Sequence, residues 1–310
     1  MLGMCINGKK IIGAVKNGSV IFRYYKYFEY SANNNAYAVV SDSKGNVYYG
    51  DGNGGIYKRD YLGNLKNTTT FSSVAITALA LSPDEKTLLI GTYDGQLESV
   101  DSSSLTQINY ENTNSNTAIT AITIDKDEHL YFGFLYSSAP NVFKYDSYKN
   151  FYSSDWNAQV VGGTGDIKIG SDSTVYVADQ NGYIDKYSPQ GLLISAFSVH
   201  GGAANQMVLS NGLIYVAANN VVACFDTSGN QKWSSPSNLM VNGISMDNSQ
   251  RLFAVQYSSD GDSYLVKYEA SSGDTMESTN INSTKGYNVS ANNLIYVTCS
   301  FGIKAFQRNF

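Results

Sequence analysis

A four-residue apolar motif recurs seven times along the chain, and this repeat restricts the possible folds more than any other feature of the sequence. Each copy has three apolar or aromatic residues before a small or β-branched one, and successive copies are 41, 42, 45, 39, 38 and 43 residues apart. A period near forty residues made of short strands is typical of β-propeller blades, and no helical periodicity competes with it. The copies occupy residues 47–50, 88–91, 130–133, 175–178, 214–217, 252–255 and 295–298.

The second repeat, residues 79–101, shows the local pattern of one blade. An alternating strand with Leu79 and Leu81 leads into a turn at Pro83, whose fixed φ favours turn formation. A second strand ends near Gly91, and a turn at Gly95 leads to a third strand. In most repeats a polar, glycine-containing turn and a more polar strand follow. Each repeat is therefore predicted to form a four-stranded antiparallel blade.

The last repeat lacks a fourth strand, because the chain ends at Phe310 directly after the third. A surplus aromatic strand, residues 19–30, lies at the other end of the chain, and pairing it with the last blade removes an exposed sheet edge. We therefore predict an all-β, seven-bladed β-propeller with four antiparallel strands per blade, closed by the N-terminal strand. The predicted domains are a β-hairpin extension over 1–18 and the propeller over 19–310.

Two parts of the repeat pattern resemble known propeller families. The segments LSPD (81–84) and YDG (93–95), followed by Asp101, are similar to a WD repeat of the WD40-like propellers, without its tryptophan. The pair Phe225-Asp226 with Trp233 downstream resembles the strand-turn-tryptophan element of quinoprotein-like propellers. The resemblance implies the fold and leaves the activity open, because propellers carry many functions. Since the quinoprotein tryptophan is not repeated in each blade, we expect no quinone and no other cofactor.

The first two dozen residues resemble a different group of proteins. The stretch INGKKIIGAVKNGSVIFRY, with Asn-Gly pairs at 7–8 and 17–18, is typical of paired hairpin strands. It resembles short segments of tail and baseplate proteins from phages and prophages of Gram-positive bacteria. This resemblance implies a virion or host-exposed location without a signal peptide; otherwise we expect the cytoplasm.

The net charge disfavours some classes of partner, and the positions of the cysteines disfavour a disulfide or a metal site. The formal net charge is −5 with no cluster of lysine or arginine, which disfavours nucleic acid, and no apolar run is long enough for membrane insertion. The three cysteines, Cys5, Cys224 and Cys299, lie far apart in apolar stretches, so we expect buried free thiols and neither a disulfide nor a metal site.

Candidate binding residues come from loops expected at one end of the ring, where the second-to-third-strand and inter-blade loops lie. Asp51, Asp94 and Asp179 occupy such turns and are candidates for a cation or for saccharide hydroxyls, with turn formation as the alternative role. The longer loops 134–141 and 256–263 carry Tyr136 and Tyr257, whose rings suit stacking on a sugar.

His200 is the remaining candidate, because an inter-blade loop places it at the same end of the ring. Together with Asp94 or Asp179 it would supply the acid and base of a propeller lyase or glycosidase acting on a polysaccharide. His129 is expected at the opposite end. We assign no catalytic residue and no metal ligand.

The function that we favour from the sequence is non-enzymatic. It is a binding or structural propeller, associated with a phage or prophage tail, that contacts a host-surface saccharide or another virion protein. The alternatives are the lyase or glycosidase and an intracellular WD40-like scaffold for protein–protein interaction.

Overall fold

The computed structural model describes residues 4–6, 9–11, 14–16, 19–21, 25–31, 34–113, 115–136, 140–281, 285–292, 294–300 and 302–307. Regular secondary structure in these ranges consists of β-strands alone. Thirty-two strands, β1 to β32, form seven four-stranded antiparallel sheets and two short hairpins. The predicted all-β fold with four strands per blade is therefore confirmed.

The strands of blades 1 to 6 pair in the order of the chain. Blade 1 consists of β6 (Ala36–Ser41), β7 (Val47–Asp51), β8 (Gly55–Arg59) and β9 (Leu65–Thr70). Blade 2 consists of β10 (Ile76–Leu81), β11 (Thr87–Thr92), β12 (Gln96–Asp101) and β13 (Gln107–Asn112). Blade 3 consists of β14 (Ile119–Ile124), β15 (Leu130–Phe134), β16 (Val142–Ser147) and β17 (Asn150–Ala158). Blade 4 consists of β18 (Thr164–Ile169), β19 (Val175–Asp179), β20 (Tyr183–Tyr187) and β21 (Leu193–Ser198). Blade 5 consists of β22 (Ala204–Ser210), β23 (Leu213–Ala218), β24 (Val221–Asp226) and β25 (Gln231–Pro236). Blade 6 consists of β26 (Met240–Met246), β27 (Leu252–Tyr257), β28 (Ser263–Tyr268) and β29 (Thr275–Asn280).

Blade 7 combines the two ends of the chain, as predicted. It contains β30 (Gly286–Ala291), β31 (Leu294–Cys299) and β32 (Gly302–Gln307), and its outer strand is β5 (Tyr25–Ser31). In this pairing Tyr30 lies opposite Ile303, and Ser31 lies opposite Gly302. The last blade therefore has its fourth strand, and the first strands of all seven blades contact one another in a closed ring.

The closing strand is shorter than predicted, because residues 19–21 belong to another element. β1 (Met4–Ile6) pairs with β2 (Lys9–Ile11), and β3 (Ala14–Lys16) pairs with β4 (Ser19–Ile21). Only two residues, Asn17 and Gly18, separate β3 from β4, and this pair favours a two-residue hairpin loop. Residues 19–21 consequently fold back on β3 instead of continuing into the blade. The division of the chain at residue 18 stays a prediction.

An arginine connects the closing strand to blade 1. The Arg59 guanidinium lies 3.6 Å from the ring centroid of Tyr30, and its Nε donates to the Tyr49 hydroxyl at 3.0 Å. Its Nη1 donates to the Gly63 carbonyl at 2.9 Å. Arg59 and Tyr49 are buried, and the Tyr49 and Tyr57 rings stack at 4.9 Å. The hydrogen bonds hold Arg59 within blade 1, and its cation–π contact with Tyr30 is the contact that needs the closing strand in place.

The hydrophobic core is divided into seven clusters, one between each pair of neighbouring blades. Each second strand lies in the middle of its blade and is covered on both faces, so β7, β15 and β19 are buried at every position. This double burial explains why the repeat motif is continuously apolar and does not alternate.

The fourth motif position sets how closely adjacent blades approach. A Cβ on Gly91 would lie 2.7 Å from Ile119 in the next blade, so only glycine fits there. Between blades 6 and 7 the sizes are exchanged: Val255 occupies the motif position, and a Cβ on Gly286 opposite it would lie 2.4 Å from the valine. At both junctions a glycine faces a larger residue, so the combined volume of the two facing residues fits the space between the blades.

Two tryptophans on outer strands attach to the following blade. Trp233 Nε1 donates to the Ala270 carbonyl at 2.9 Å, and Trp156 Nε1 donates to the Pro189 carbonyl at 3.0 Å. The sequence singled out Trp233 alone, as part of a strand-turn-tryptophan element, and did not predict that either tryptophan contacts the next blade. Cys224 and Cys299 are buried, as predicted, and the side chain of Cys5 lies outside the described residues.

Candidate interaction face

The two ends of the ring differ in chemistry. We call the end that carries the second-to-third-strand loops and the inter-blade loops the 2–3 face, and the other end the 1–2 face. In the described parts of the 2–3 face loops, the charged residues are Asp94, Asp260, Asp262 and Lys285. By contrast, single turns of the 1–2 face, such as 125–129 with the sequence DKDEH, are densely charged. The 2–3 face is thus composed mainly of asparagine, serine, glycine and tyrosine.

Hydrogen bonds between neighbouring blades support the 2–3 face from within. Every first strand is irregular after its first or second residue. In blades 2, 3, 5 and 6 the side chain at this irregularity bonds to the next blade, whereas blade 4 has Gly165 there. Thr77 and Thr120 donate to the carbonyls of Ile119 and Thr164, each at 2.6 Å. Asn205 and Asn242 donate at 2.8 Å to carbonyls at the equivalent positions of blades 6 and 7. These side chains connect neighbouring blades at the rim of the central channel.

Tyrosines replace these donors in blades 7 and 1. Tyr287 and Tyr37 are the equivalent residues there, and their rings meet edge-on with centroids 4.7 Å apart. Lys285 Nζ lies 5.3 Å from the Tyr287 ring centroid and 4.9 Å from that of Tyr257 in blade 6. Asn35 donates to the Tyr37 hydroxyl at 3.2 Å. We call Tyr37, Tyr257 and Tyr287 the tyrosine cluster.

The tyrosine cluster is half-buried and positively charged through Lys285. Burial is the main cause of a raised pKa for Tyr287, so its hydroxyl stays protonated and can donate a hydrogen bond at neutral pH. The cluster therefore combines aromatic surface, hydroxyl donors and one ammonium group. Of these residues the sequence singled out Tyr257 alone. Tyr37 and Tyr287 share the second position of their first strands, and this shared position is the sequence signal that marks them.

The three candidate aspartates form turns. Asp51 Oδ1 accepts from the backbone of Asn53 and Gly55 at 2.9 and 2.8 Å, and Asp179 Oδ1 accepts from the backbone amides of the corresponding turn in blade 4. Both aspartates are 2% exposed. Asp94 accepts from Thr92 and Gln96 side chains. The alternative role named for them, turn formation, describes these contacts, and a ligand-binding role stays a prediction.

The candidate tyrosines differ in accessibility. Tyr136 is 61% exposed in the loop between β15 and β16, which makes its ring available to a partner. Tyr257 is the last residue of β27 and belongs to the tyrosine cluster instead of the adjacent loop. Two further exposed tyrosines lie on the 2–3 face, Tyr93 at 62% and Tyr183 at 45%.

His200 is exposed on the 2–3 face, next to Ser198. Among the described residues, no hydrogen bond or ion pair joins His200 to Asp94 or Asp179, so the acid–base pair of the enzyme hypothesis is not preassembled. His129 lies at the 1–2 face, where its Nδ1 is 2.8 Å from Asp125 Oδ2. The two histidines therefore lie at opposite ends of the ring, as predicted. Within the described chain, no group of three or more His, Cys, Asp or Glu side chains has the arrangement of a metal site.

Two carboxyl groups, one buried and one half-buried, have raised pKa values. Glu98 on β12 is 2% exposed and its Oε2 has no hydrogen-bond partner; burial and, secondarily, the charge of Asp94 raise its pKa to about 7. In blade 4, burial and then the charge of Asp179 raise the pKa of Asp185 to about 6. Both groups make stability dependent on pH near neutrality.

Comparison with known proteins supports the fold. The β-propeller domain of Cps50 (Swd1) from Myceliophteria thermophila has a TM-score of 0.79 at 11% identity, over 93% of this chain and 100% of that one. The WD40 propeller of Doa1 has a TM-score of 0.75 at 15% identity, over 92% and 97%. The C-terminal WD40 domain of Sif2 has a TM-score of 0.70 at 10% identity, over 93% and 99%.

These likenesses establish a seven-bladed propeller with WD40 structural neighbours. No family model and no curated protein matches the sequence. None of the three neighbours named above is described as a tail or baseplate protein, so the tail resemblance of the N-terminal segment stays a prediction. The described residues contain no helix that is long and apolar enough to cross a membrane.

Proposed function

We propose that this protein is a non-enzymatic interaction scaffold that binds a polypeptide partner on its 2–3 face. The observation that carries the proposal is the contrast between the two ends of the ring. The 2–3 face has few charges and presents the exposed Tyr93, Tyr136 and Tyr183 on blades 2 to 4 and the half-buried tyrosine cluster on blades 6, 7 and 1, whereas charged turns such as 82–86 and 125–129 are frequent on the 1–2 face. Exposed tyrosine combined with asparagine and serine is the composition of adaptable protein-binding surfaces.

The partner's chemistry follows from the residues available. Tyrosine rings supply rigid contact area at small entropic cost, and the asparagine amides both donate and accept hydrogen bonds, so an uncharged, partly aromatic segment fits this face. Lys285 adds one cation at the channel rim, suited to a carboxylate of the partner. The WD40 likeness supports the proposal through the fold alone, which in other proteins serves as an interaction platform.

Quantitative affinity capture from cells that express the protein tests the proposal. Bait carrying Tyr93→Ser and Tyr136→Ser is compared with bait carrying Tyr61→Ser, a control on the 1–2 face that is 52% exposed. We expect the double variant to lose a defined partner at least tenfold while the control retains it, with crosslinks mapping to the 2–3 face. Equal capture by the double variant, the control and the unmodified protein, or crosslinks confined to the 1–2 face, contradicts the proposal.

A saccharide is the second candidate ligand, favoured by the 61% exposure of Tyr136 next to polar loops. A tyrosine ring stacks on a sugar while neighbouring amides and hydroxyls bond to its hydroxyls. A glycan array tests this candidate: binding that Tyr136→Ser removes and Tyr61→Ser preserves would favour host-surface carbohydrate, and with it the virion hypothesis. Detection of the protein in purified virions tests that location separately.

A further inference from the structure

The outer strand of blade 4 differs from every other outer strand in the ring. β21 has the sequence LISAFS and contains neither a charged residue nor proline. The other six outer strands each contain at least one charge: Lys26 and Glu29 in β5, Lys66 in β9, Glu111 in β13, Asp155 in β17, Lys232 in β25 and Glu277 in β29. Charges on an edge strand prevent pairing with another chain, and β21 lacks this protection.

The same strand and the residue before it expose apolar side chains. Leu192, Leu193 and Ile194 are consecutive in the chain and are exposed by 70%, 59% and 55%. Ser195 and Ala196 are exposed as well, so the first part of the strand is open to solvent on both faces. A short, uncharged segment with high β-propensity and exposed branched residues is the composition of a strand-pairing edge.

We propose that β21 is a homodimer interface, in which the blade 4 outer strands of two copies pair antiparallel about a two-fold axis. The proposal is independent of the function of the 2–3 face, because β21 lies on the outer circumference of the ring.

The absence of charge on β21 favours a second copy of this chain as its pairing partner. Antiparallel pairing of a strand with itself brings the same residues of both copies close to the axis, and like charges facing each other destabilise a sheet. A strand that carries a charge can therefore pair with its copy only in registers that keep like charges apart, whereas β21 has no charge to repel its copy in any register. The two-fold arrangement also closes after two chains and does not propagate into a filament.

A local irregularity limits where the ladder forms. Leu193 lies opposite Tyr187 and Ser195 opposite Lys186, so Ile194 is the additional, bulged residue of β21. The new ladder therefore involves mainly residues 195–198, and the exposed side chains of 192–194 pack at its ends. Ile108 has the equivalent bulged position in β13, between Gln107 and Asn109, and is 54% exposed.

Sedimentation velocity over a concentration series of the full chain tests the proposal, using Ile194→Lys and the matched control Ile108→Lys. We expect the unmodified protein to form a dimer as concentration rises. Ile194→Lys should weaken dimerisation at least about tenfold, because it replaces an apolar side chain that packs at each end of the ladder with a charged one, and Ile108→Lys should leave it unchanged. Both substitutions are at exposed sites, so equal melting temperatures by circular dichroism verify that folding is intact.

Three results overturn the inference: a monomer at all concentrations, a dimer that Ile194→Lys does not weaken, or a dimer that both variants weaken equally. If the protein is a monomer at all concentrations, the remaining candidate partner for β21 is an extended segment of a different protein. The substitution Ala196→Pro, which removes a backbone donor from the proposed ladder, gives a second test and should also abolish the dimer.

Discussion

The buried carboxyl of Glu98 predicts that stability falls as pH rises through neutrality. The pKa of this group is raised from 4.5 to about 7 in the folded protein. The folded state therefore holds the proton more tightly than the unfolded chain does. The resulting stabilisation of the folded state is complete below about pH 4.5 and is lost as the pH rises through about 7. A difference of 2.5 pKa units (7 − 4.5) at about 1.4 kcal/mol per unit corresponds to about 3 kcal/mol.

The Glu98→Gln substitution isolates this effect, because it keeps the shape of the side chain and removes its titration. Chemical denaturation followed by tryptophan fluorescence at pH 5 and pH 8.5 measures the free energy of unfolding. We expect similar stability of the two proteins at pH 5, and a variant more stable by up to about 3 kcal/mol at pH 8.5. Glu269→Gln, at an exposed turn residue, serves as control and should follow the unmodified protein. A variant less stable at pH 8.5, or one with an unchanged pH dependence, refutes the reasoning.

Three further predictions concern the ring itself. Gly91→Val should cost about 1–3 kcal/mol by overpacking against Ile119, and Ile119→Ala in the same chain should recover part of this loss in urea denaturation. Trp233→Phe should lower the free energy of unfolding by about 1 kcal/mol, because the Ala270 carbonyl loses its donor; an unchanged value would contradict that role. Deletion of residues 1–31 removes the closing strand and should lower the melting temperature and cause aggregation, whereas a deletion that ends at residue 21 should not.

The architecture was predictable because it is encoded in local, repeated patterns. The motif at 88–91 and its six equivalents are apolar in every blade, since each second strand is buried on both faces. The missing fourth strand of the last repeat and the surplus strand near Tyr30 indicated the closure. The start of the closing strand at Tyr25 was not predicted, because residues 19–30 have high β-propensity throughout and show no boundary between the hairpin strand and the closing strand.

The candidate site was predictable only in part. Tyr136 was identified from the length of its loop, and its exposure agrees with a surface role. Tyr37 and Tyr287 were missed because they are 250 residues apart and become neighbours only when the ring closes. Lys285 likewise has no local signal, since its aromatic contacts come from two different blades.

The sequence by itself determined the number of blades, the strands in each, the turn-forming aspartates and the closure by the N-terminal strand. All of these depend on residues close in the chain or on counting repeats. The tertiary structure alone decided which residues meet across blades: Gly91 against Ile119, Val255 against Gly286, and the tyrosine cluster around Lys285. These contacts depend on how far each blade approaches the next. That distance is set by the packing of both facing surfaces, which no single segment specifies.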